Sequence, residues 1–121
     1  MTSKKETIEI IEKLIELTQH NQIIWQSQPA PRYMCSPDSR IDLVYETEYL
    51  GRYIRLYQKQ FKYYIDENQY TWDENMIFEI VDDQGNTIWE FPRTPNAYEL
   101  LKAVQFQNPQ VSNFYNDLFK K

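Results

Sequence analysis

The chain has one cysteine, one histidine and two glycines in 121 residues, and each shortage excludes some chemistry. A single thiol, Cys35, rules out an internal disulfide. A single imidazole, His20, leaves almost no material for a metal site or a histidine-based triad. Gly51 and Gly85 both stand where turns are needed, so no glycine-rich loop remains to cradle a phosphate. Long apolar runs are missing too, and none approaches the roughly 18 to 20 residues that span a bilayer. Positive charge is in deficit: the net charge of -5 argues against general nucleic-acid binding, which draws on a basic excess. The first residues, MTSKKETIEIIEK, lack the unbroken apolar core of a secretory signal. These absences lead to the expectation of a cytosolic protein with no membrane segment.

Aromatic residues are abundant: ten Tyr, six Phe and three Trp. Tyr and Trp bury bulk while keeping a polar tip that wants a partner. Around them the pattern predicts a single α+β domain over residues 1–121. Ser3 and Glu6 have capping-box spacing, and Ile8, Ile11 and Ile15 with Ile10, Leu14 and Leu17 predict a helix that His20-Asn21 ends. Ile23-Ile24-Trp25 reads as a short edge strand. Pro29, Pro31 and Pro37 make the following segment an irregular loop.

A four-stranded antiparallel meander is expected next: Ile41 to Tyr49, Arg52 to Ile65, Met76 to Val81 and Thr87 to Phe91. Leu50-Gly51 and the DDQGN stretch are its tight turns. DENQYTWDEN, between the second and third strands, reads as a polar connection. Helices are predicted from Thr94-Pro95-Asn96 onward and, past Asn108-Pro109, from Gln110 to Phe119. Both should pack with the first helix on one sheet face.

Candidate sites follow from the second strand. Alternation puts Tyr53, Arg55, Tyr57, Lys59, Phe61 and Tyr63 on one face and leaves Ile54 and Leu56 toward the core. With Tyr45 and Tyr49 placed beside them, this row is expected to be an open face of tyrosines separated by cations. Rings interleaved with Arg and Lys can stack on a flat ligand, and the same pairs also suit a half-exposed sheet. Tyr70 and Trp72 fall in the predicted connection, where large aromatics have no turn-forming role: either they fold back as a lid on the sheet edge or they mark a contact.

Carboxylates at Asp66, Glu67, Asp73 and Glu74 could supply a hydrolytic pair only at a specific separation. Cys35 has no basic neighbour nearer than Arg32 to activate it. No catalytic residue, metal ligand or cofactor is assigned.

The stretches YETEYLGRYIRLYQ, FEIVDDQGNTIWEFP and YELLKAVQFQ resemble a group of short bacterial proteins, often cyanobacterial, built as helix, β-meander and helix. The resemblance implies the fold from about Leu14 onward and carries no activity. The expected function is non-enzymatic. The domain would bind a protein partner or a second copy of itself through Tyr53, Arg55, Tyr57, Lys59, Tyr70 and Trp72. The alternative expectation is a small anionic ligand or nucleotide held by the Tyr, Arg and Lys residues of the second strand.

Overall fold

The computed structural model describes residues 2–120. Helix α1 (Lys4–Gln19) starts at the anticipated capping box: the Glu6 amide donates to Ser3 Oγ and the Ser3 amide donates to Glu6 Oε1, at 3.1 and 3.2 Å. It stops where expected. Asn21 takes a left-handed φ of 57°, and the Gln22 amide reaches back to the Leu17 carbonyl at 2.9 Å, which closes the helix end. Ile11, Leu14 and Leu17 face the core, while Ile10 is exposed.

Strands β1 (Gln26–Pro29), β2 (Ser39–Arg40), β3 (Leu43–Tyr49), β4 (Arg52–Tyr64), β5 (Tyr70–Val81) and β6 (Thr87–Glu90) form one antiparallel sheet in the order β1-β3-β4-β5-β6. β2 pairs with the far half of β4, beyond the end of β3. The sheet therefore has six strands, against an expected four. The edge strand also starts later than the apolar knot: Ile23 and Trp25 turn into the core, and the polar residues after them make the pairing.

Leu50 and Gly51, at φ 52° and 75°, form a two-residue loop that pairs Tyr49 with Arg52. That register fixes every face of β3. Tyr45 lies opposite Leu56 and packs, as Tyr49 does, against the helix-side core rather than beside Tyr53 and Tyr57.

Ile54, Leu56, Met76 and Phe78 meet Ile11, Leu14 and Leu17 from α1 in the main core. Helix α2 (Ala97–Phe106) closes it with Leu100, Leu101 and Val104. The expected last helix is two short turns, α3 (Pro109–Ser112) and α4 (Phe114–Leu118), and these leave Phe114, Tyr115, Leu118 and Phe119 exposed instead of packing them on the sheet.

The second sheet face is covered as well, by the proline-rich segment. Ala30 and Met34 pack on Ile41, Val44, Tyr57 and Ile77 in a smaller core. Among the described residues, no helix is long and apolar enough to cross a membrane.

Candidate interaction surface

Arg55 lies directly across from Glu79 on the neighbouring strand. Its Nε and Nη2 both donate to Glu79 Oε1, at 2.7 and 2.6 Å, and Thr87 Oγ1 donates to Glu79 Oε2 at 2.8 Å. Nη1 donates to the Tyr33 hydroxyl at 3.3 Å, and that hydroxyl donates onward to the Gly85 carbonyl at 3.2 Å. The two charged residues are only 3% and 2% exposed. Burial alone would pull the Arg55 guanidinium down, but the hydrogen bonds and charge of Glu79 and Tyr33 outweigh it and hold it above its usual value. Tyr57, 9% exposed, is pushed up to about 12, first by burial and then by the Glu79 charge. Gly85 completes the arrangement: at φ 85° its hydrogen faces the Tyr33 hydroxyl, and a Cβ there would come within 2.6 Å of that oxygen.

The expected open row of Tyr53, Arg55 and Tyr57 is therefore absent. Tyr53 is exposed, but Arg55 and Tyr57 are buried beneath the proline-rich segment. Lys59 sits further along the same face in an open groove with Phe61, Tyr63 and Arg93. Asp73 and Glu90 share that groove, so two carboxylates balance its two cations.

Tyr70 and Trp72 belong to a strand, not to a loop. DENQYTWDEN divides: Asp66 makes the turn by accepting from the Asn68 and Gln69 amides at 2.8 and 2.9 Å, and pairing begins at Tyr64 and Tyr70. Register places Tyr70 and Trp72 on the helix-side face, opposite the face of Arg55 and Lys59. The proposed contact residues therefore split between two surfaces.

The outer halves of β4 and β5 run on past the helix-covered core as a ribbon, flanked on the β4 side by the short strand β2. On its helix-side face the Tyr64 and Tyr70 rings lie 5.7 Å apart, and Tyr70 meets Trp72 edge-on at 6.2 Å. Cations pack on these rings: Arg40 lies 5.2 Å from the Trp72 centroid and Lys62 lies 4.6 Å from that of Tyr70. Tyr70 and Trp72 remain 45% and 43% exposed, and Tyr63, Tyr64 and Ile65 are also open. Tyr64 donates to Asp38 at 3.1 Å, and Lys62 pairs with the same carboxylate at 3.8 Å. Arg40 and Asp38 were not among the residues singled out from sequence. Their polar, proline-flanked segment gave no sign that it would return to β4.

The acidic residues do not converge. Asp66 is used by its turn, Asp73 accepts from the Glu74 amide, and Glu74 accepts from Gln58 and from the Tyr98 hydroxyl. No group of three or more His, Cys, Asp or Glu side chains among the described residues is placed to hold a metal ion.

No family model matches the chain, and neither a curated protein nor a solved structure matches it.

Proposed function

We propose that the protein is a non-enzymatic, cytosolic interaction domain whose contact element is the β4–β5 ribbon. One observation carries this reading: Tyr64, Tyr70 and Trp72 form a contiguous, half-exposed aromatic ladder beyond the helix-covered core, with cations already ordered on its rings. Aromatic residues held by a sheet lose little freedom on docking, and Tyr, Trp and Arg dominate contact energies. Arg55 and Tyr57 leave the contact surface expected from sequence because they are internal, and Tyr53 and Lys59, though accessible, lie on the opposite sheet face from Tyr70 and Trp72. The small-anion alternative loses its main cation as well, since the Arg55 guanidinium already has Glu79 as its counter-charge.

The test is affinity capture from the source cells with wild type, Tyr70→Ala/Trp72→Ala and Tyr53→Ala. Wild type and Tyr53→Ala are expected to retain the same partner. The double variant should lose it by a factor on the order of ten or more, as for a hot-spot pair. A partner held equally by all three forms would refute the ribbon as the contact element.

A further inference from the structure

β6 covers β5 only from Phe78 onward, so among the described residues no strand lies beside the outer edge of β5 from Tyr70 to Ile77. Three bonds show which backbone groups face outward. Across the hairpin the Ile65 amide donates to the Gln69 carbonyl at 2.9 Å, so odd-numbered positions of β5 face β4. From the other side the Phe91 amide donates to the Phe78 carbonyl at 2.9 Å. The Glu74 amide also points away from β4, and it donates to Asp73 Oδ1 at 2.8 Å. Trp72 and Glu74 therefore present their peptide groups to the open side.

That side is plugged at one residue. Asp73 supplies the acceptor for the Glu74 N–H. The Asn75 amide, in the orientation that satisfies both of its groups, donates to the Glu74 carbonyl at 3.1 Å and accepts from Arg93 at 2.7 Å. Two side chains thus stand in for the C=O and N–H of a missing strand. Such local side-chain bonds compete with strand pairing and blunt an edge.

We infer that the β5 edge is a strand-addition site for a second copy of this chain, gated by Asp73 and Asn75. The inference rests on the ribbon reading and names its partner. The segment can pair with itself, which points to a second copy, and charge selects the register. An antiparallel twofold at Glu74 would set Glu74 against the partner's Glu74, like charge on like charge. A twofold at Trp72 sets Trp72 against the partner's Trp72, Tyr70 against the partner's Glu74 and Thr71 against the partner's Asp73. Each acid then meets a hydroxyl, and Lys62 supplies a cation on the same face as Tyr70. Trp72 faces the open edge with its own N–H and C=O, so the central pair exchanges two hydrogen bonds. Pairing requires Asp73 and Asn75 to swing off Glu74, which keeps association weak in the wild type.

Sedimentation velocity over a concentration series tests this. Wild type should show a weak, reversible dimer. Asn75→Ala frees the Glu74 carbonyl while keeping the Asp73 carboxylate that meets Thr71, and should tighten that dimer by about fivefold, the worth of one bond no longer displaced. Trp72→Pro removes the central donor at an edge position that tolerates proline, and should be monomeric. Trp72→Arg sets two guanidiniums on the axis and should be monomeric as well, which covers the case in which the proline variant fails to fold. The inference is overturned if Asn75→Ala associates no more tightly than wild type, or if a dimer survives Trp72→Arg. In either event the capture experiment with Tyr70→Ala/Trp72→Ala still decides the ribbon reading separately.

Discussion

Arg55→Ala is expected to destabilise the protein by about 3 to 5 kcal/mol, read from urea unfolding followed by circular dichroism. The reason is what the substitution leaves behind. Glu79 is 2% exposed, and Arg55 donates two bonds to one of its oxygens. Without Arg55 that carboxylate stays buried with Thr87 as its remaining donor, and the Tyr33 hydroxyl loses a donor too. Such a loss is a large fraction of an ordinary domain's stability. Arg55→Met/Glu79→Leu removes both charges together and should cost much less, because a buried pair barely repays its own desolvation. A single-variant loss below about 1 kcal/mol would place the pair in the class of solvated surface bridges instead.

Gln107→Ala is expected to cost about 2 to 4 kcal/mol, the sum of three partly buried bonds. The Gln107 carbonyl accepts from the Trp25 amide at 3.1 Å, and its amide nitrogen donates to the Thr18 and Ile23 carbonyls at 3.0 and 2.6 Å. One side chain at the end of α2 thereby ties down the end of α1 and the chain entering β1. The indole of Trp25 bonds to Thr18 Oγ1 in the same place, at 3.0 Å, so the joint is shared. Thermal unfolding monitored by Trp fluorescence reports it directly. Gln107→Glu is the informative companion: it keeps the acceptor for Trp25 but turns two donor bonds into contacts between a carboxylate and carbonyl oxygens. It should be at least as damaging as alanine.

Features set by near neighbours were legible in the sequence. Ser3 and Glu6 sit one helical turn apart, Leu50-Gly51 and Gly85 supply the left-handed angles their turns require, and Ile54 and Leu56 alternate toward the core. What depended on distant partners was not legible. Residues 70–75 are polar enough to read as a connection, and they are a strand because Tyr64, Lys62 and Gln60 lie opposite Tyr70, Trp72 and Glu74. Cross-strand pairs, not residue preference, decide such a segment. Arg55 looked like a surface cation because its counter-charge is 24 residues away and its cover comes from a segment 22 residues earlier. Trp72 and Tyr70 stood out as aromatics in a predicted connection, but they lie on a strand, and their face was not deducible until the register of β4 and β5 was known. The backbone plug at Glu74 had no signature, since Asp and Asn flanking Glu look like ordinary solubilising residues.

The layer that hides Arg55 from solvent also gives the molecule two tiers of cooperativity. Arg55 and Glu79 sit on paired strands and stay adjacent whether or not the proline-rich segment is docked. The flanks of the segment are held by pairing, Ala30 to Asp42 and Ser39–Arg40 to β4, but its middle around Tyr33, itself largely exposed, is fastened through that hydroxyl and a few apolar contacts. Undocking hydrates the ion pair rather than breaking it, which offsets part of the lost packing. Partial unfolding should therefore begin here, below the energy of global unfolding. In native-state hydrogen exchange, the Met34 and Cys35 amides, bonded within the loop, should open together at low denaturant while those of Leu100, Leu101 and Val104 follow the whole protein. Synchronous exchange of both groups would show a single tier.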